Sequence, residues 1–380
     1  MAGLYIHIPF CRSRCIYCDF YSTTLTPAWQ MPYVEALGRE MVLQGQGSSG
    51  KGQEFTSLYL GGGTPSQLTP EALRRLFFHI SQHVRLAPDA EVTIEANPDD
   101  VTPQWVALLR ETPVNRVSMG VQSLDDDILR TLRRRHTASQ AIKAVGLLQK
   151  AGYANLSLDL IYGLPGQTLR QFTTDVRRVL ALGIPHLSAY ALQFEEGTPL
   201  YRMRSEGSIS EADEELSLSC YQRLIDLAQE AGMEHYEISN FARRDFRSRH
   251  NSSYWNDSPY TGLGAGAHSY DPQARRRSFN CEDVERYIQS IDAGQLPAET
   301  ERLDDDTRYN ERVMLRLRTC EGLSLTDVER DFGTGRRRYC ERMARPHLLA
   351  GRVQKKAGEA LCLTRQGLFV SDDIISDLMV

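Results

Sequence analysis

Strand-length apolar runs alternate with helical patterns through the first half of this 380-residue chain, and no other feature restricts its fold as much. The strand candidates are 4–8, 57–60, 92–95, 116–119, 156–161 and 187–192. Helical periodicity fills the intervals at 29–44, 70–84, 103–110, 139–151 and 169–182. Successive strands bridged by helices pair in parallel, because a parallel connection must cross back over the sheet. Six such units fit either a partial (β/α) barrel or a doubly wound sheet. Both architectures carry their chemistry at the C-terminal ends of the strands.

The loop after the first strand contains Cys11, Cys15 and Cys18 within eight residues, a C-x3-C-x2-C spacing. Three thiolates hold a 4Fe–4S cluster with one iron left open, whereas a fourth would close it and leave mainly electron transfer. Structural zinc is the competing reading, but zinc wants four ligands and no second Cys/His pair stands at knuckle spacing. Cys220, Cys281, Cys320, Cys340 and Cys362 are scattered singly and read as ordinary buried thiols.

C-x3-C-x2-C after a first strand resembles the radical S-adenosylmethionine (SAM) superfamily. That resemblance selects the partial (β/α)6 barrel over the doubly wound sheet. It implies that the open iron chelates the amino and carboxylate groups of SAM, and that an electron from the cluster can cleave the cofactor to a 5′-deoxyadenosyl radical.

Several polar residues then recur at expected strand ends. Gly61, Gly62, Gly63 and Thr64 follow the second strand, where glycines let a backbone approach a ligand. Glu95 ends the third, Gln122 follows the fourth and Asp159 lies in the fifth. Singly, each reads as a group satisfying a loop; together, one ligand explains them better. Arg133, Arg134 and Arg135 read as a solvated helix end, from which Arg134 can reach a carboxylate. Arg336, Arg337 and Arg338 read as solvated surface.

The segment His250-Asn251-Ser252-Ser253-Tyr254-Trp255 precedes a glycine cluster at 262–266. That cluster reads G-x-G-x-G, lacks the dinucleotide fingerprint and suggests close backbone packing. With the cysteine loop, the 61–66 turn and the segments 121–123 and 159–165, the His250 box is similar to the HemW heme chaperones. These are relatives of the oxygen-independent coproporphyrinogen III dehydrogenases, known as HemN.

The resemblance covers nearly the whole chain. It implies cluster ligation by Cys11, Cys15 and Cys18, and a SAM site formed by Tyr5, Tyr17, Gly62, Gly63, Thr64, Glu95, Gln122, Arg134 and Asp159. Heme would be the cargo, handed to acceptor proteins such as membrane-bound respiratory cytochromes. His250 is then an axial-ligand candidate, with Asn251 orienting its ring and Tyr254 and Trp255 offering flat apolar faces. A buried aromatic cluster is the competing reading of the same box. Two departures count against porphyrinogen decarboxylation: HemN has a further cysteine where this chain has Phe20, and an N-terminal extension where only ten residues precede Cys11.

The chain divides, on this reading, into 1–280, carrying the barrel and the His250 box, and 281–380, a mainly helical, winged-helix-like domain. The pattern 211–231 is a long helix, 271–277 an exposed connection and 304–319 the clearest helix of the second part. Segments 353–354 and 360–363 suggest a small wing. The Gly/Gln/Ser-rich stretch 44–53 reads as a mobile loop. A net charge of −5 argues against a dominant nucleic-acid face, so a nucleic-acid modifier is the weakest reading. No leader-like pattern or ~20-residue apolar run occurs. A cytosolic setting, where reduced thiols and a cluster persist, is expected, with contact at the membrane through acceptors left open.

Overall fold

The structure, a computed structural model, describes residues 2–47, 53–356 and 358–380. Strands β1 (Ala2–Ile8), β2 (Glu54–Gly62), β3 (Arg85–Ala96), β4 (Arg116–Gln122), β5 (Asn155–Tyr162) and β6 (His186–Ala191) pair in sequence order, all parallel. Between them run α1 (Gln30–Gly47), α2 (Pro70–His83), α3 (Pro103–Leu109), α4 (Asp126–Thr131), α5 (Ala138–Lys150) and α6 (Leu169–Ala181). This is the six-unit (β/α) layout expected from the alternation.

Residue parity explains the shape. Leu4, Ile6 and Ile8, Leu58 and Leu60, Val92 and Ile94, Val117 and Met119, and Leu156, Leu158 and Leu160 join one core cluster with the helices. The residues between them are polar: Ser57 and Tyr59, Thr93 and Glu95, Arg116 and Ser118, Ser157 and Asp159, His186 and Ser188. Alternate side chains of a strand point to opposite faces, so the sheet turns a polar concave face away from its helices. Arg116 is fully buried on that face, and its Nε and Nη1 have no hydrogen-bond partner among the described residues.

Both sheet edges are extended. After α7 (Pro199–Ser205) and α8 (Glu214–Glu230), strands β7 (Glu234–Glu237) and β8 (Asn240–Ala242) form an antiparallel pair, and β8 joins the sheet antiparallel to β6. A short helix, α9 (Arg249–Trp255), precedes β9 (Tyr260–Leu263), which pairs parallel to β1. Beyond it lie β10 (His268–Asp271), β11 (Arg276–Asn280) and β12 (Ala298–Arg302), giving a twelve-stranded sheet. Helix α10 (Val284–Asp292) packs on α1. Buried Glu40 on α1 ties this extension down, accepting from Gly264 N at 2.8 Å, Asn280 Nδ2 at 2.8 Å and Tyr287 Oη at 2.6 Å.

Three expectations need correction. Segment 271–277 is an exposed connection as expected in its middle, 272–275, but its ends belong to the β10–β11 hairpin, which pairs Asp271 with Arg276 and is missed because both strands are short and lack strong apolar alternation. The region after Cys281 includes strand β12, so it is less uniformly helical than its pattern suggests. In the 44–53 stretch, α1 continues through Gly47, and 48–52 lie outside the described residues.

The small unit comprises α11 (Asp305–Leu317), β13 (Leu323–Ser324), α12 (Leu325–Leu349), β14 (Val353–Lys356), β15 (Ala360–Leu363), α13 (Arg365–Leu368) and α14 (Ser371–Leu378). Its three strands pair in the order β13-β15-β14, and α12 is kinked at Gly333, where φ is +84°. Tyr309, Val313, Leu325, Cys340, Leu361 and Ile374 belong to its own core. Residue 280 lies at the end of β11, and the large core continues past it through Val284, Tyr287 and Ile291.

Candidate functional site

At the end of β1 the chain passes through Pro9 and Phe10 into the cysteine loop. Buried Phe10 packs edge-on against Tyr33, with ring centroids 5.4 Å apart. The loop base is closed by Cys11 N donating to Thr23 O at 2.8 Å and Thr23 N donating to Pro9 O at 2.7 Å. So anchored, Cys11, Cys15 and Cys18 line a cavity of about 450 Å3 over the C-terminal ends of the parallel strands. Burial pushes the Cys18 thiol up to about 11 and raises that of Cys11 as well.

Tyr17, Gly62, Gly63, Thr64, Glu95, Gln122, Arg134 and Asp159 line the same cavity. Tyr5 does not; its hydroxyl lies 3.1 Å from His7 Nδ1 and its ring borders a neighbouring cleft. Strand parity puts Tyr5 on the concave face, but it stands in the middle of β1 and misses the strand-end layer.

The glycine turn is built for close approach. Gly62 has φ +107°, and a Cβ there would come within 2.5 Å of the His7 ring. At Gly63 a Cβ would meet the Pro9 carbonyl carbon at 2.7 Å. Side chains at either position would push the second strand end away from the cysteine loop. Thr64 follows, with Oγ1 3.3 Å from Cys11 Sγ.

Of the four carboxyl residues lining the cavity, Asp19, Glu95, Asp159 and Glu195, two stand on the strands beneath it. Glu95 accepts from Tyr59 Oη at 2.7 Å and Gly62 N at 3.2 Å, and burial pushes its carboxyl up to about 7. Asp159 accepts from Ser118 Oγ at 3.5 Å, and burial pushes it up to about 6. A bound cation favours the ionised form of both. Gln122 sits at a register shift between β4 and β5 with φ +70°, a left-handed conformation rare outside glycine.

Arg134 arrives by a local device. Helix α4 ends with Arg133 at φ +55°, and Arg134 N donates back to Leu129 O at 2.8 Å. This closure turns the chain sharply. Arg134 Nη1 then donates to Cys15 Sγ at 3.3 Å and Nη2 to Asn97 Oδ1 at 2.8 Å, while Nε is buried without a partner among the described residues. Arg135 is also engaged, pairing with Asp99 at 3.0 Å and Asp100 at 3.2 Å, so only part of the run is a solvated helix end.

The His250 box lies elsewhere. Helix α9 is capped by Ser248 and by Glu91 on β3, which accepts from Arg249 N at 3.1 Å and His250 N at 3.0 Å. His250 is 1% exposed, with Nδ1 2.9 Å from Ser57 Oγ and Nε2 2.8 Å from Tyr254 Oη. Its ring stacks on Tyr59 at 5.1 Å, and burial pulls its pKa down to about 3. An axial ligand needs a free ring nitrogen, and His250 has none. The ring is oriented by Ser57 and Tyr254, not by Asn251 as expected. Trp255 sits at the far side of α9, where its carbonyl accepts from Arg316 at 3.4 Å.

The same cavity is lined by Asn97, Tyr190 and Gln193, which sequence reasoning does not single out. Asn97 stands two residues beyond Glu95 at the same strand end, and Tyr190 ends the polar parity of β6. Strand-end position is the one signal that points to them.

The Radical SAM superfamily pattern matches residues 5–179, and the HemN C-terminal domain pattern matches 303–370. The protein named Heme chaperone HemW of Lactococcus lactis is 35% identical over 86% of this chain and 84% of its own. Its Bacillus subtilis counterpart is 32% identical over 98% of both chains. The chain belongs to the HemW heme chaperone family. A mitochondrial relative from Bos taurus, named for its radical S-adenosyl methionine domain, is 36% identical over 70% of this chain and 60% of its own. The Escherichia coli coproporphyrinogen III oxidase HemN shares the fold, with a TM-score of 0.85 and 22% identity, covering all of this chain and 90% of that one.

Membership of the radical SAM superfamily implies a 4Fe–4S cluster and SAM, and the cavity fits both. Three thiols share one loop on the cavity wall, and the glycine turn packs directly against His7 and Pro9 so that the second strand end lies beside that loop. Arg134 Nε is a buried donor without an acceptor among the described residues. Among the described residues no three His, Cys, Asp or Glu side chains are grouped to hold a single metal ion. When bound, the cluster supplies an electron and an open iron. Glu95, Asp159, Arg134 and Tyr17 line the same cavity as the three thiols, which puts two carboxyls and a guanidinium beside the loop that would hold the cluster. In this HemW-family chain no helix among the described residues is long and apolar enough to cross a membrane.

Proposed function

We propose that this chain binds a 4Fe–4S cluster through Cys11, Cys15 and Cys18, holds SAM in the adjoining cavity, and carries heme to acceptor proteins such as respiratory cytochromes. One observation carries the reading: relatives named heme chaperones match 98% of the chain, so barrel and small unit correspond together. The division of labour follows, with the barrel housing the cofactors and the unit beyond β12 attached to its side. The protein works in the cytoplasm and meets membranes through its acceptors.

The alternative is oxygen-independent coproporphyrinogen III dehydrogenation, which the HemN fold likeness favours. Phe20 weighs against it, because an exposed phenyl ring stands two positions after Cys18. Nucleic-acid modification has less support. Arg336 pairs with Asp306, and Arg337 with Glu329, Glu341 and Glu359, so the basic run is largely neutralised within the protein.

An anaerobic heme titration of the cluster-reconstituted protein, followed by gel filtration, tests the carrier reading. Coelution of about one heme per chain, seen as a Soret band, is expected. Complete loss of heme from the protein fraction overturns it.

A further inference from the structure

Beside the cofactor cavity lies a second cleft of about 390 Å3, within the ~300–1,000 Å3 range of small-molecule sites. Asp19 and Phe20 line both spaces, so one short segment is their common wall. Phe20 is 67% exposed, an unusual setting for a phenyl ring flanked by two cavities. Across the cleft stand Tyr254 and Tyr260, packed edge-to-face with centroids 4.7 Å apart.

One imidazole at this cleft is free. His7 is buried, with Nδ1 3.1 Å from Tyr5 Oη and Nε2 3.0 Å from Tyr21 O. His268, the first residue of β10, is exposed and lines the cleft, and its ring nitrogens make no hydrogen bond among the described residues. Its ring is steadied by Phe279, 5.7 Å away. A neutral imidazole with an open nitrogen beside flat aromatic faces is what an iron porphyrin requires of a protein.

Resting on the carrier reading above, we infer that this cleft seats the heme, with His268 as its axial ligand and Phe20, Tyr254 and Tyr260 against the macrocycle. The His250 box then acts indirectly, because His250 Nε2, 2.8 Å from Tyr254 Oη, sets the orientation of one wall. The carboxylates of Asp19 and Glu282, which border the cleft, repel the heme propionates and direct them out toward solvent. The cargo would sit against the same loop that holds the cluster, on the other side of Phe20.

The test compares wild type, His268→Ala and His268→Cys in the full cluster-reconstituted chain, titrated anaerobically with ferric heme. Optical and magnetic circular dichroism spectra report the axial ligand, and iron and sulfide content confirms that each variant retains its cluster. Wild type is expected to give a histidine-ligated spectrum. His268→Ala should lose that signature, bind heme at least about tenfold more weakly and regain the signature with added imidazole. His268→Cys should give a thiolate-ligated spectrum, which a merely structural role would not produce. An unchanged histidine signature in His268→Ala overturns the inference while leaving the carrier reading intact. Failure of the wild type to retain heme overturns both.

Discussion

His250 Nε2 lies 2.8 Å from the Tyr254 hydroxyl while Nδ1 lies 2.9 Å from Ser57 Oγ, so one buried ring joins α9 to the start of β2. Its removal strands two polar partners and opens a cavity in the barrel. His250→Ala is therefore expected to destabilise the fold by about 2–4 kcal/mol, read as a lower denaturant midpoint with an unchanged slope. An unaltered midpoint would contradict this structural role.

The cofactor cavity should respond to pH through Glu95 and Asp159. Burial raises them to about 7 and about 6, and SAM presents a sulfonium and an ammonium group. Below these values a proton competes with the cation; above them both carboxylates are ionised. SAM affinity of the cluster-bearing protein should rise between about pH 5.5 and 7.5 and then level off. Equilibrium dialysis across that range checks it, with Glu95→Gln expected to flatten the upper part of the rise. For the fold the sign is opposite. The folded state holds these protons up to a higher pH than the unfolded chain, so each carboxyl costs stability as pH rises through its window.

Arg134 should separate SAM binding from cluster binding. Arg134→Met removes the guanidinium proposed to meet the SAM carboxylate but leaves all three thiols in place. A charge-assisted bond is worth about 1.5–3 kcal/mol, so SAM binding should weaken by about 10–100-fold. Iron and sulfide content should stay near the wild-type level. Loss of iron together with SAM would instead assign Arg134 to holding the Cys15 sulfur, 3.3 Å from its Nη1.

Much of the barrel is legible in the sequence because its strands alternate strictly. In Leu156-Ser157-Leu158-Asp159-Leu160 the apolar set packs on helices and the polar set lines the concave face, so pattern and position agree. The cysteine loop is legible because ligand spacing is local. The edge extensions are not: β8 and β9 are three and four residues long and depend on pairing with β6 and β1, far away in sequence. Arg134 lies in the cavity because Arg133 takes a left-handed turn that glycine would usually mark. His250 suggests a ligand by residue type alone, whereas Ser57 and Glu91, which fix it, lie more than 150 residues earlier in the chain. The free imidazole, His268, carries no motif, since its exposure is set by the β10–β11 hairpin.

Carrier and dehydrogenase are separated most directly by offering both substrates together. Cluster-reconstituted protein with SAM and a low-potential reductant is incubated anaerobically with heme and coproporphyrinogen III, then resolved into protein and free tetrapyrrole fractions. The expected result is about one heme per chain in the protein fraction with coproporphyrinogen III recovered intact. Protoporphyrinogen IX formation, with heme remaining free, would contradict the carrier function.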